Sequence, residues 1–193
     1  MKKLFINTII AVISILLLNN SAYSQWEQCN GPYGLRTEAI GASGGNVFAC
    51  SWHGIFLSTN KGDIWEKVLD ENTEDILIDG TDIFAASTTG LYHSTDNGDN
   101  WAELYSYSTK AIALSGSNIF IGTWSGVYLS TDNGNSWTQK NNGMSNNLVW
   151  SIAISGSNMF ILSEDGIFLS TNNGDSWTEK NNGLTLTNNQ FRS

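Results

Sequence analysis

Apolar residues in this chain come in short runs, and beyond residue 24 no run keeps a 3.6-residue period. Segments such as Asn46-Val47-Phe48-Ala49-Cys50-Ser51 alternate or are wholly apolar, and Gly, Asn and Asp bound them. That pattern predicts short β-strands joined by tight turns and fits helices poorly. The first run differs. Lys2 and Lys3 precede a stretch from Leu4 to Leu18 that is apolar apart from Asn7, Thr8 and Ser14, and Ala22-Tyr23-Ser24 supplies small residues before Gln25. Residues 1–24 therefore read as a secretory signal peptide, since fifteen residues fall short of the roughly 20 that span a bilayer. The mature chain would begin at Gln25, keep no membrane span, and be periplasmic, surface-bound or secreted.

The strand pattern repeats. Gly54–Trp65, Gly90–Trp101, Gly126–Trp137 and Gly166–Trp177 align without gaps at offsets of 36, 36 and 40 residues. Upstream of each lies an apolar stretch around Ile40, Ile76, Ile112 or Ile152, then a turn, then a run holding Phe48, Phe84, Phe120 or Phe160. The units 39–65, 75–101, 111–137 and 151–177 thus share one length, and only the segments after each tryptophan vary. Each unit predicts three strands, A, B and C, with a fourth, D, opening at the tryptophan. Four strands per 36 to 40 residues is the size of a propeller blade, and a two-layer sandwich would not repeat at a fixed interval. The blades are expected at about 39–74, 75–110, 111–150 and 151–184.

Within each unit one octapeptide stands out: Ser58-Thr59-Asn60-Lys61-Gly62-Asp63-Ile64-Trp65, with counterparts Ser94–Trp101, Ser130–Trp137 and Ser170–Trp177. These resemble the Asp box, or BNR repeat (S-x-D-x-G-x-x-W), found in the propellers of sialidases, xyloglucan-type glycoside hydrolases, sortilin-like receptors and photosystem II assembly-factor-like proteins. The resemblance covers nearly all of the mature chain. The box is expected to be structural. Gly62, Gly98, Gly134 and Gly174 supply positive φ for the C–D turn. Asn60, Asp96, Asp132 and Asn172 accept hydrogen bonds from the turn's own N–H groups. Trp65, Trp101, Trp137 and Trp177 pack between neighbouring sheets. A calcium loop is the weaker reading, because Ca²⁺ wants 6–8 oxygen ligands.

The resemblance implies that ligands bind on the opposite face, formed by the B–C turns and D–A connections. Those turns are Ser51-Trp52-His53-Gly54, Ser87-Thr88-Thr89-Gly90, Thr123-Trp124-Ser125-Gly126 and Ser163-Glu164-Asp165-Gly166. They differ while their surroundings stay the same, as expected of a binding surface on a fixed scaffold. Candidate ligand-binding residues are Trp52, His53, Thr88, Trp124, Trp150, Glu164 and Asp165. The three tryptophans either meet a sugar or protein partner or plug the blade interfaces near the axis. His93 replaces the leucine at Leu57, Leu129 and Leu169 and is expected half-buried in a strand.

Charge and cysteine usage narrow the classes further. Without Lys2 and Lys3 the chain has 7 basic and 18 acidic residues, a surface that would repel nucleic acid. Cys50 shares its position with Ala86, Gly122 and Leu162, so it reads as a buried apolar residue, and Cys50 and Cys29 are expected as free thiols. Two histidines without a Cys or carboxylate cluster suggest no metal site, and no motif implies a cofactor.

Catalysis lacks its residues. Sialidases hold the substrate carboxylate with three arginines, and this sequence has only Arg36 and Arg192. Glycoside hydrolases use two carboxyl groups across a cleft, but no motif singles out Asp75, Glu164 or Asp165. The expected function is an exported, non-catalytic binding or scaffold module for protein or carbohydrate. The alternative is part of a secreted glycosidase or sialidase-like enzyme whose catalytic residues lie outside this chain. Finally, Trp26–Asn30 matches the D strands at Trp137 and Trp177, giving five D strands for four A–B–C sets. The fold class expected is therefore an all-β propeller of about four four-stranded blades in an incomplete ring: a truncated or partial sequence, or an open arc closed by assembly.

Overall fold

A computed structural model describes Gly31 and residues 36–184. The leader 1–24, the D-type strand expected at 26–30, Cys29 and Arg192 lie outside those residues. The described chain folds into sixteen strands in four antiparallel sheets, each an A-B-C-D meander. Blade 1 comprises β1 (Thr37–Ser43), β2 (Asn46–Ser51), β3 (Gly54–Ser58) and β4 (Glu66–Leu69). Blade 2 comprises β5 (Thr73–Asp79), β6 (Asp82–Ser87), β7 (Leu91–Ser94) and β8 (Ala102–Tyr105). Blade 3 comprises β9 (Thr109–Ser115), β10 (Asn118–Thr123), β11 (Gly126–Ser130) and β12 (Thr138–Gln139). Blade 4 comprises β13 (Val149–Ser155), β14 (Asn158–Ser163), β15 (Gly166–Ser170) and β16 (Thr178–Glu179).

The A strands are innermost: β1 packs on β5, β5 on β9 and β9 on β13. No comparable packing joins β13 back to β1 among the described residues, so these four blades form an open arc. Three cores lie between the sheets. Phe48, Cys50 and Ile55 of blade 1 meet Ile83 and Ala85 of blade 2. Phe84, Ala86 and Leu91 then meet Ile112, Ile119 and Ile121 of blade 3. Phe120, Val127 and Leu129 meet Val149, Met159, Ile161 and Phe168 of blade 4. Gly122 shows how close the sheets come, since a Cβ there would sit 2.7 Å from Val149. Cys50 is a free thiol within the first core.

Strand A starts two residues earlier than the repeat alignment predicts. In every blade a β-bulge marks its start: Thr37 pairs with Ser51 and Ala39 with Cys50, leaving Glu38 as the extra residue. Glu74, Lys110 and Trp150 are the extra residues in the other three. Trp150 thus belongs to β13 and not to the preceding connection. A bulge shifts the inward–outward alternation, which is why a simple period places the strand start too late.

The Asp boxes build the C–D turns. Ser130 Oγ accepts from the Gly134 N–H (2.8 Å) and donates to Asp132 Oδ1 (2.8 Å), which also accepts from the Ser136 N–H (2.8 Å). Asn60, Asp96 and Asn172 repeat the geometry, so amide and carboxylate serve alike as acceptors. The turn needs two consecutive left-handed residues, and Lys61, Asn97, Asn133 and Asn173 precede the glycines with φ of 55–62°. Three of those four are asparagine, which tolerates that region. Trp101, Trp137 and Trp177 join the inter-sheet cores, while Trp65 bonds through Nε1 to Gly62 O of its own turn (3.0 Å). Trp137 Nε1 lies 3.1 Å from both Leu104 O and Gly134 O, and Trp177 Nε1 donates to Lys140 O (2.8 Å), tying blades 3 and 4 to the blade before.

Hydrogen bonds from Asn100 and Ser94 hold the Asp96 carboxyl down to about 2, against 3.8 ordinarily. A carboxyl lowered in the fold stabilises it above pH 3.8 and loses that contribution as pH falls through about 2. Asp96→Asn copies Asn60 and Asn172. Its Tm is expected to lie below that of the parent at pH 6, with the gap closing between pH 4 and pH 2. Thermal scans across that range check this, and a gap independent of pH contradicts it.

Candidate binding face

A meander places the A–B and C–D turns at one end of each blade and the B–C turns and D–A connections at the other. The Asp boxes therefore face away from Trp52, Thr88, Trp124 and Glu164. At the B–C end each turn is fixed by a buried hydroxyl closing strand B: Ser51, Ser87, Thr123 and Ser163. Thr123 Oγ1 donates to Gly126 O (3.0 Å) and accepts from the Ser125 N–H (3.0 Å). Ser51 and Ser163 do the same. The signal was legible, since a small hydroxyl precedes every B–C turn, but it was not among the residues expected to matter.

On this frame the variable residues stand out. Trp52 and Trp124 are 55% and 56% exposed, at equivalent turn positions two blades apart. Beside them run the bulge residues, which the bulge turns out of the strand's regular alternation. Lys110 is buried, with Nζ 2.5 Å from Glu74 Oε2 of the preceding blade. Its ammonium lies 4.7 Å from the Trp124 ring and 5.3 Å from the Trp150 ring, which meet edge to face at 5.9 Å. In blade 1 Arg36 sits 5.4 Å over Trp52, with Nε 2.8 Å from Glu38 Oε1 in a charge contact lacking hydrogen-bond directionality. The bulge residues Glu74, Lys110 and Trp150 of blades 2, 3 and 4 thus meet in turn along the inner rim, and Trp52, Trp124 and Trp150 each have a cation over the ring.

Each remaining candidate has a definite place. His53 is exposed on its turn, its N–H bonded to Ser51 Oγ. Thr88 donates its N–H to Asn72 O (3.0 Å), tying the turn to the D–A connection. Glu164 accepts from Asn146 Nδ2 (3.2 Å) and Asp165 from Ser145 Oγ (2.7 Å), pinning the longest D–A connection onto the blade 4 turn. Asp75 accepts N–H bonds from Ile76 (2.9 Å) and Ile112 (3.1 Å). Burial pushes its carboxyl up, partly countered by those two bonds. Burial, with a smaller push from Asp75, takes the Cys50 thiol up to about 12, which leaves it protonated at neutral pH.

No protein-family model matches the chain, and no curated protein matches it. Solved structures do match. The extracellular domain of the hybrid two component system BT4673 from B. thetaiotaomicron aligns over 84% of this chain and 23% of its own, at TM-score 0.70 and 15% identity. An ancestral GH74 enzyme aligns over 80% of this chain and 25% of its own, at TM-score 0.63 and 22% identity. YCF48 bound to D1 peptide aligns over 75% and 53%, at TM-score 0.57 and 16% identity. The chain has the β-propeller fold. It spans about a quarter of the GH74 and BT4673 chains and about half of YCF48, and this propeller's likeness to them is one of fold.

Proposed function

We propose that this chain is an exported, non-catalytic binding module whose B–C/D–A face docks a segment of a partner protein. The observation behind the proposal is the pair of exposed indoles, Trp52 and Trp124, at turn tips whose counterparts are Thr88 and Glu164. Tryptophan is strongly enriched at binding hot spots, and the shared scaffold does not call for it at this position. The Arg36 side chain, 66% exposed beside Trp52, adds a cation that a peptide carbonyl or carboxylate can meet.

One fold relative supports a protein partner, since YCF48 is described bound to a D1 peptide, and the extracellular BT4673 domain supports export. The GH74 relatives favour the alternative, a piece of a secreted glycoside hydrolase. Against it, Glu74, Asp75, Glu164 and Asp165 are each held by a neighbouring group, and no two stand free across a cleft among the described residues. Selection of a random peptide library against the purified chain, in parallel with a glycan array, tests the proposal. Peptide ligands are expected. Glycan binding alone would move the ligand class to carbohydrate, and hydrolysis of a bound glycan would overturn the non-catalytic reading.

A further inference from the structure

Four copies of one unit let each position be compared with its own counterparts. Side chains that serve only the scaffold recur, and blade 2 departs at three positions that the fold brings together. Asp79 stands where the other blades have Ser43, Ser115 and Ser155. Asp82 replaces Asn46, Asn118 and Asn158, and His93 replaces Leu57, Leu129 and Leu169. All three line a groove of about 430 Å³ between blades 2 and 3. It opens at the Asp-box end, opposite the face proposed above.

The groove has two kinds of wall. Phe84, Leu114 and Ile119 supply apolar surface, while Asp79 and Asp82 bring carboxylates and no lysine or arginine contributes. The His93 ring lies parallel to Phe84 at 4.3 Å, and its Nε2 is 2.7 Å from Asp82 Oδ1, leaving Oδ2 available. Asp79 is exposed at the end of β5, where its backbone pairs with Asp82. In the neighbouring interfaces Leu57 and Leu129 pack into the apolar cores at this point. Blade 2 gives up that packing, and positions that break the rule of their own fold are where function is to be sought.

We infer that this groove binds a cationic side chain, arginine or lysine, of a partner polypeptide. The methylene stem lies along Phe84, Leu114 and Ile119, and the charged head meets Asp79 and the free oxygen of Asp82. A ligand of this class needs an apolar channel ending in acceptors, which is the arrangement here.

Restoring the repeat provides the test. Asp79→Ser, Asp82→Asn and His93→Leu together install residues that the other three blades already accommodate, so the triple variant is expected to fold with an equal or higher Tm. Titration of the purified chain with a short arginine peptide, followed by the amide resonances of Gly116 and Ser117, should give saturable shifts. The same peptide with neutral citrulline should bind at least tenfold more weakly, and the folded triple variant should show no saturation. Equal affinity for citrulline, binding retained by the triple variant, or no saturable shift in the parent each overturns the inference.

Discussion

Lys110→Met is expected to destabilise the fold by about 3 kcal/mol, the low end of the range for breaking a buried ion pair. Lys110 is 7% exposed at its side chain and Glu74 25%, so removing the ammonium leaves a mostly desolvated carboxylate without its cation. Most of that cost is the stranded charge, since a buried pair replaced as a unit by uncharged groups is often nearly neutral. Lys110→Met combined with Glu74→Gln should therefore recover to within about 1 kcal/mol of the parent. Urea denaturation of the parent, both single variants and the double variant measures the coupling. A double variant as unstable as Lys110→Met would show that the loss comes from packing of the lysine stem and not from the unpaired charge.

Phe120→Ala is expected to cost about 3–5 kcal/mol, because the ring is wholly buried in the core between blades 3 and 4. Phe160 holds the same repeat position in blade 4, where it pairs with Leu169 as Phe120 pairs with Leu129. Its neighbours differ. Phe160, Leu162, Ile167 and Leu169 are only half-buried, whereas Phe120, Gly122, Val127 and Leu129 are buried against blade 4. Phe160→Ala should consequently cost less than half as much. Equal costs, by chemical denaturation, would mean that the outer face of blade 4 is covered and that the arc is closed.

How much of this was legible depends on what the four copies share. Strands B and C, the C–D turns and the blade order follow from residues such as Phe48, Ser58 and Gly62, whose counterparts recur at fixed offsets. Burial of Cys50 and the half-buried setting of His93 were readable from their counterparts. Glu38, Glu74, Lys110 and Trp150 were not readable as a set. Two are glutamate, one is lysine and one tryptophan, and the bulge that unites them exists only in the pairing of β1 with β2 and its equivalents. The groove beside His93 was equally hidden, because Leu114 and Ile119 come from the next blade. Shared residues reveal the scaffold, while contacts made by the departures depend on which blade stands beside which.

The division between a shared scaffold and a binding face built from its departures is tested most directly by affinity. A peptide selected on the purified chain would be measured by calorimetry against Trp52→Thr/Trp124→Thr, which copies Thr88 into both turns, and against Asp96→Asn. The turn variant is expected to melt with the parent and bind at least tenfold more weakly, while Asp96→Asn keeps parental affinity despite its lower Tm at neutral pH. Full affinity in the turn variant, or loss of affinity in folded Asp96→Asn, would contradict the assignment.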